Sequence, residues 1–87
     1  MYDILVKKRA FKDIEKLPVA IQKKLAMLID DLMERGPIRS DWPNFSKLGR
    51  DAYHCHLAHK WVACWYCEEN SVIIEVYYAG SRENAPY

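Results

Sequence analysis

Residues 53–80 read YHCHLAHKWVACWYCEENSVIIEVYYAG and contain most of the strand-forming sequence of the chain. Three runs rich in β-branched and aromatic residues, at 53–57, 61–67 and 72–79, are typical of strands. The connections between them, 58–60 and 68–71, are short enough to favour hairpins. The stretch therefore predicts three consecutive antiparallel strands.

Two amphipathic segments precede these strands. The first, at 10–17, repeats apolar residues at helical spacing and is interrupted by Pro18, which can also start a second helix. The second continues until Gly36 and Pro37, a pair that ends helices. The apolar stripes are Phe11, Ile14 and Leu17 in the first helix and Ile21, Leu25, Leu28 and Leu32 in the second. The pattern predicts a helical hairpin.

The predicted fold class is α+β. It has an N-terminal strand at 1–6, the helical hairpin, and a three- to four-stranded antiparallel sheet that the helices cover on one face. Residues 38–51 are predicted to be a loop with a short extended piece at 45–48. A chain of 87 residues makes a single domain, 1–87, with no room for a deep enclosed site. We therefore expect any chemistry on an exposed face or in a shallow groove.

Alternation along the strands assigns side chains to the two faces of the sheet. On the last strand, Val72, Ile74, Val76 and Tyr78 are expected to meet the helices, and Ile73, Glu75, Tyr77 and Ala79 to lie opposite. On the first of the three strands, His54 and His56 oppose the apolar set Tyr53, Cys55 and Leu57. The open face is thus expected to carry His54, His56, Glu75 and Tyr77, together with either Trp65 or Tyr66.

The net charge of +1 is unevenly distributed. Residues 1–24 carry seven Lys or Arg side chains and three acidic ones, a net charge of +4, so the remainder carries −3. A basic segment of this kind attracts a polyanion or an acidic partner, although a solvated helix face explains it nearly as well. The strongly basic composition that usually accompanies nucleic-acid binding is absent.

Location and metal binding can also be judged from the sequence. No apolar run approaches the roughly 20 residues of a membrane helix. The N-terminal charges follow the short apolar run, whereas a secretory signal has them before it, so a cytoplasmic location is expected. Three cysteines are an odd number, which argues against a disulfide framework. Cys64 and Cys67 lie three apart on a predicted strand and face opposite ways, so neither a metal site nor a cofactor is expected.

The order of these elements resembles the RelE/ParE superfamily of toxins from bacterial type II toxin–antitoxin systems. The stretches that carry the resemblance are FKDIEKL at 11–17, KLG at 47–49, YHCHL at 53–57 through WVACW at 61–65, and EVYYAGSR at 75–82, with Tyr87 at the end. The resemblance covers nearly the whole chain. It implies a metal-independent endoribonuclease that cuts mRNA, usually in the ribosomal decoding site, and that a cognate antitoxin neutralises.

The resemblance also implies roles for individual residues. Arg82 and Tyr87 match an arginine at the end of the last strand and an aromatic residue near the C-terminus, both of which serve catalysis in such toxins. Lys47 is a looser match to a lysine near the start of the sheet. Relatives with histidines on the sheet use them for proton transfer, and His54 and His56 fall in that region.

These residue types suit metal-free cleavage of RNA, which needs a base for the 2′-hydroxyl, a cation for the phosphate and an acid for the departing 5′ oxygen. An unperturbed histidine pKa of about 6.5 suits either proton role. Arg82 can hold a phosphate with two hydrogen bonds, and Tyr87 can donate to it or stack on a base. Trp65 and Tyr77 are further stacking candidates, Glu75 is a candidate to orient a histidine, and Lys47 and Lys60 are candidate substrate-binding cations.

Two features leave other functions open. The phosphate-binding arginine that many members carry on the middle strand has no counterpart among Lys60, Trp61 and Val62, and the chain lacks the strong positive charge of ribosome-dependent members. The alternatives are a ParE-like toxin that inhibits DNA gyrase without catalysis, and an aromatic-faced module that binds a partner protein. The expected partners are an antitoxin, mRNA and the ribosome, with no membrane and an undefined oligomeric state.

Overall fold

Two helices and five strands follow one another in the predicted order. The computed structural model describes all residues, 1–87. The elements are β1 (Asp3–Val6), α1 (Lys8–Glu15), α2 (Val19–Arg35), β2 (Ser46–Lys47), β3 (Ala52–Ala58), β4 (Trp61–Tyr66) and β5 (Ile73–Ser81), then a short 3-10 helix (Arg82–Asn84). No helix combines the length and the apolar character that a membrane span requires.

The strands form one sheet in the order β1-β5-β4-β3-β2. The pairs β2–β3, β3–β4 and β4–β5 are antiparallel, and this confirms the predicted meander. β1 joins the sheet beside β5 and runs parallel to it, with Ile4 opposite Ile74 and Val6 opposite Val76. The helices carry the chain from β1 to the far edge of the sheet at β2, and the antiparallel strands then bring β5 back beside β1. The sheet has five strands because both the N-terminal strand and the short β2 pair with it.

The core lies between the helices and one face of the sheet. Helix α2 buries its predicted stripe, Ile21, Leu25, Leu28 and Leu32. The sheet contributes Tyr53, Cys55, Leu57, Ala63, Trp65, Cys67, Ile74, Val76 and Ala79. Each large apolar side chain buried here stabilises the fold by about 1.5–3 kcal/mol. Helix α1 packs against β5 and buries only Ala10. It therefore contributes much less to the core than α2 does.

The chain leaves α2 through a backbone conformation that requires glycine. Gly36 has φ 93°, and its amide donates a hydrogen bond to the Leu32 carbonyl, which completes the last turn of the helix. A Cβ at this position would lie 2.9 Å from the ring of Tyr2. Beyond it, the Pro37 carbonyl accepts a hydrogen bond from the indole of Trp65 at 3.0 Å. This turn therefore anchors the end of α2 to the centre of the sheet.

A β-bulge in β5 corrects the predicted faces of the last strand. Val76 is opposite Trp65, whereas Tyr78 is opposite Cys64, so β5 has one extra residue between these pairs. Val76 and Ala79 both lie in the core, and the two residues between them, Tyr77 and Tyr78, therefore leave the core face together. The predictions that Tyr78 faces the helices and that Ala79 faces away are wrong because simple alternation takes no account of a bulge.

Candidate active site

Two histidines lie side by side on the face of the sheet opposite α2. His54 and His56 are two apart on β3, and their ring centroids are 5.9 Å apart. His54 is only 8% exposed because the ring of Tyr87 packs against it at 4.5 Å, while His56 is half-buried. The Oγ atom of Ser46, on the neighbouring strand β2, lies 2.9 Å from Nδ1 of His54. The imidazole of His54 is thus covered on one side by the phenol ring of Tyr87, and its Nδ1 already has Ser46 as a hydrogen-bond partner.

Both imidazoles are shifted toward the neutral form. Burial lowers the pKa of His54, and the nearby charge of His56 lowers it further, while a backbone hydrogen bond with Ser46 acts in the opposite direction. Burial also lowers the pKa of His56, followed by repulsion from Arg82 and His59. Since the unshifted pKa is 6.5, both rings are mainly unprotonated at pH 7. Each therefore has a lone pair that can accept a proton.

The C-terminal segment brings the other two predicted groups to the histidines. The amide of Arg82 donates to the Lys60 carbonyl at 2.8 Å, which holds the start of the 3-10 helix against the β3–β4 turn. The segment then becomes extended at Ala85 and ends with Tyr87 on His54. Burial is the main cause of the pKa shifts of His56 and Tyr87, and the charge of Arg82 acts on both groups as well, lowering the pKa of each. Burial raises the pKa of Tyr87 overall, which keeps its phenol protonated at neutral pH.

A second group of open-face residues lines a groove beside this cluster. The bulge in β5 brings Tyr77 and Tyr78 to the same face as Tyr66 and Glu75. Together with Arg9 of α1 and Lys16, which follows that helix, they line an open groove of about 990 Å³. Burial raises the pKa of Tyr77 to about 12, and the thiol of Cys64 beneath it contributes to the rise. Burial likewise raises the pKa of Cys64 to about 12, so this thiol stays protonated and is a poor nucleophile.

The structure divides the predicted substrate-binding residues between the two faces. Glu75 and Tyr77 lie on the open face as predicted, and Glu75 pairs with Lys7 at 3.9 Å rather than with a histidine. Trp65 is fully buried in the core, so the prediction that it stacks on a base is wrong. Of the two side chains that β4 offers, Tyr66 is the one on the open face.

Neither predicted lysine reaches the histidines. Lys47 is opposite Tyr53, a core residue, and its ammonium lies 5.9 Å from that ring, on the helix side of the sheet. Its role as a substrate-binding cation at this site is therefore wrong, because β2 directs Ser46 and not Lys47 to the open face. Lys60 places its ammonium 5.9 Å from the ring of Trp61, and only its backbone carbonyl contacts the site, through Arg82.

Ser46 is the site residue that sequence reasoning missed. It belongs to a strand of two residues whose register with His54 depends on the loop that follows. The extended piece predicted at 45–48 includes strand β2, but the sequence did not show which residue of that strand pairs with His54. Cys64 and Cys67 lie on opposite faces as predicted, Cys64 under Tyr77 and Cys67 in the core. No group of three or more His, Cys, Asp or Glu side chains lies close enough to hold a metal ion.

No model of a known protein family matches the sequence, and no curated protein is significantly similar to it. The fold, in contrast, is similar to that of solved toxin structures.

The isolated Escherichia coli RelE toxin (19% identity, TM-score 0.77) aligns over 99% of this chain and 89% of that one. The archaeal RelE–RelB complex from Pyrococcus horikoshii OT3 (17% identity, TM-score 0.75) aligns over 97% of this chain and 98% of that one. The YoeB–YefM complex from Staphylococcus aureus (16% identity, TM-score 0.70) aligns over 92% and 95%. This chain therefore has the fold of RelE and YoeB toxins, and the predicted α+β architecture is confirmed.

Proposed function

We propose that this protein is the toxin of a type II toxin–antitoxin system and that it represses translation by cutting mRNA. The observation that carries the proposal is the cluster of His54, His56, Arg82 and Tyr87 on one open face of a RelE-like fold. These four side chains supply a proton acceptor, a phosphate-binding cation and a proton donor. The proposed reaction requires no metal ion and no cofactor, and its substrate places it in the cytoplasm.

The proposed reaction is an attack of an RNA 2′-hydroxyl on the adjacent phosphorus. His54 takes the proton of the 2′-hydroxyl, the 2′ oxygen forms a bond to phosphorus, and the bond from phosphorus to the 5′ oxygen breaks. Arg82 binds the phosphate oxygens, on which negative charge grows. The products are a 2′,3′-cyclic phosphate and a free 5′-hydroxyl. His54 acts as the base because its lowered pKa leaves the ring unprotonated near pH 7.

Two groups are placed to protonate the departing 5′ oxygen. Tyr87 carries its phenol proton at neutral pH and lies against His54. His56 lies near Arg82, where a bound phosphodiester would offset the repulsion and favour the protonated ring. Replacing Tyr87 with Phe separates the two roles because it removes the proton and keeps the ring.

The ribosome is the proposed site of cleavage because the resemblance to RelE-like toxins implies it, even though this chain lacks the strong positive charge of ribosome-dependent members. The small number of cations in the cluster itself argues against capture of free RNA. Arg82 is the one permanent positive charge near the histidines, since Lys47 lies on the other face and Lys60 extends over Trp61. A shallow site with one cation binds a free RNA chain weakly. mRNA that the ribosome already holds in position would need only local contacts.

An antitoxin is the proposed protein partner. The similar structures include RelE with RelB and YoeB with YefM. The basic first third of this chain is the proposed docking surface for an acidic antitoxin segment, because Lys8, Lys12 and Lys16 are exposed along α1. Neutralising these lysines together should weaken antitoxin binding, and unchanged affinity would rule this surface out.

The central test is expression of the wild-type chain in bacteria, with mapping of mRNA 5′ ends after induction. We expect growth arrest and new 5′ ends in translated regions for wild type, and neither for Arg82→Ala or for His54→Ala/His56→Ala. Lys47→Ala is the matched control, because it removes a cation from the other face of the same sheet. If wild type and the site variants arrest growth equally, the catalytic assignment is wrong.

Inhibition of DNA gyrase is the second candidate function, and one observation favours it. The open-face residues of β4 are Val62, Cys64 and Tyr66, none of which can bind a phosphate through a positive charge. A ParE-like toxin needs no such group. It predicts DNA damage signalling with intact mRNA, and inhibition of supercoiling by purified gyrase. If mRNA stays intact and gyrase is unaffected, the remaining interpretation is a module that binds a partner protein through its aromatic face.

A further inference from the structure

Strand β2 is only two residues long, yet it places a hydroxyl directly on the imidazole of His54. Ser46 is opposite His54 in the sheet, and its Oγ lies 2.9 Å from Nδ1. We propose that Ser46 is a positioning residue, which accepts the Nδ1 proton of His54 and so leaves Nε2 as the proton acceptor of the site. The use of Nε2 in cleavage rests on the proposed function, whereas the orientation of the ring does not.

The direction of the hydrogen bond follows from which ring nitrogen has a partner. A serine hydroxyl can donate or accept, so the 2.9 Å distance alone is compatible with either tautomer of His54. Nδ1 is the ring nitrogen of His54 that has a hydrogen-bond partner in the protein, and the residue is only 8% exposed. A proton on Nε2 would leave a largely buried N–H without a protein acceptor, which is costly, so the proton is assigned to Nδ1 and the acceptor role to Ser46. The backbone of Ser46 acts in the same sense, because it raises the pKa of His54.

The remaining surroundings of His54 leave Nε2 available. The ring of Tyr87 covers the imidazole at 4.5 Å, and His56 is its other ring neighbour, at 5.9 Å. Neither His56 nor Tyr87 forms a hydrogen bond with Nε2 in this structure. Since Nδ1 is bound to a residue of the sheet itself, the ring cannot rotate without losing that bond. A histidine base works through one defined nitrogen, and holding the wrong tautomer costs most of its activity.

The orientation can be tested without any substrate. Long-range ¹H–¹⁵N NMR spectra of the intact, ¹⁵N-labelled protein at pH 7.5 identify the protonated nitrogen of His54. We expect the Nδ1–H form in wild type, and the same form in Ser46→Thr, which keeps the hydroxyl. Ser46→Ala should shift part of the population to Nε2–H, since the hydroxyl acceptor of Nδ1 is lost. Lys47→Ala is the matched control, being the adjacent residue on the opposite face, and should leave the tautomer unchanged.

Either of two results would overturn the proposal. The first is an Nε2–H tautomer in wild type, a measurement that needs no variant and is independent of how well Ser46→Ala folds. The second is a tautomer population that is the same in wild type and Ser46→Ala.

RNA cleavage gives a separate measurement. Ser46→Ala should lower the cleavage rate at least about tenfold, and Ser46→Thr should restore most of it. The acid limb of the pH profile should also move in Ser46→Ala, which a loss of stability alone would not cause. If the tautomer behaves as expected and no variant or wild type cleaves RNA, the positioning role of Ser46 stands and the ribonuclease function is wrong.

Discussion

The ring of Tyr87 packs on the imidazole of His54, with centroids 4.5 Å apart and ring planes inclined by 52°. This contact joins the end of the chain to the middle of β3 and leaves His54 8% exposed. Tyr87 is itself 53% exposed as a residue, so it covers the histidine while also meeting solvent. The burial of the proposed base therefore depends on the residue proposed as proton donor.

The first prediction separates the two roles of Tyr87. Tyr87→Ala should raise the pKa of His54 toward 6.5, because burial is the main cause of its lowered value. Tyr87→Phe keeps the ring and should leave the pKa of His54 close to that of wild type. If the phenol is the proton donor, Tyr87→Phe should still lower the cleavage rate about 100-fold. NMR titration and an RNA cleavage assay measure the two effects; equal cleavage by Tyr87→Phe and wild type would assign the donor role to His56.

The second prediction concerns the charge of Arg82. Arg82→Ala should raise the pKa of His56 and of Tyr87, since the guanidinium lowers both. Arg82→Lys should keep most of this electrostatic effect but lose the two-point contact with phosphate. NMR titration of His56 and spectrophotometric titration of Tyr87 measure the shifts. Arg50→Ala is the control, because Arg50 acts on Tyr66 and not on the histidines; a His56 pKa that is insensitive to Arg82 would place the guanidinium elsewhere.

The third prediction is a loss of stability at acid pH. The pKa values of His54 and His56 are lower in the folded chain than the 6.5 of an unperturbed histidine. The unfolded chain therefore binds more protons below 6.5, and the contribution of these residues is full above that pH and is lost as the pH falls through the folded pKa values. Urea unfolding at pH 7.5 and 5.5 should show a larger loss of free energy for wild type than for His54→Gln/His56→Gln. Equal losses would contradict the lowered pKa values.

The fourth prediction places Trp65 in the core rather than in the site. Trp65→Phe should destabilise the fold by about 1–3 kcal/mol, because it shrinks a fully buried side chain and leaves the Pro37 carbonyl without its indole donor. The tautomer and pKa of His54 should not change, since Trp65 lies on the other face of the sheet. Chemical denaturation and NMR titration measure these effects. If Trp65→Phe were as stable as wild type but bound RNA more weakly, Trp65 would have a role in RNA binding and the prediction would be wrong.

The fifth prediction concerns Gly36. Gly36→Ala should cost about 1–3 kcal/mol of folding free energy, because its φ of 93° with ψ of −174° is a conformation that essentially only glycine adopts. The new methyl group would also press on the ring of Tyr2, 2.9 Å away. Gly49→Ala is the matched control, since nothing lies within 4 Å of a Cβ there. Thermal unfolding compares the two variants, and equal melting temperatures would show that this turn relaxes.

The faces of β3 were predictable because that strand alternates without interruption. The core contains Tyr53, Cys55 and Leu57, as predicted from their apolar character. The more polar His54 and His56 lie on the other face of the strand. Alternation gave the wrong faces on β5 after Val76, where the strand has a bulge. A bulge depends on how two strands pair, so it cannot be recognised from the hydrophobic pattern of one strand. Alternation also left β4 undecided, since both of its faces are apolar enough for a core.

The spacing of apolar residues was enough to predict the order of the elements, the buried stripe of α2 from Ile21 to Leu32, and the α+β class. It was enough because each helix and strand buries its own apolar residues at a spacing that can be read directly from the sequence. Three features depend on the assembled sheet: Ser46 and not Lys47 contacts His54, Trp65 lies in the core, and β1 pairs with β5. Each of these depends on the register between strands distant in sequence. Register is set by packing across the whole sheet, and a shift of one residue would move every side chain to the other face.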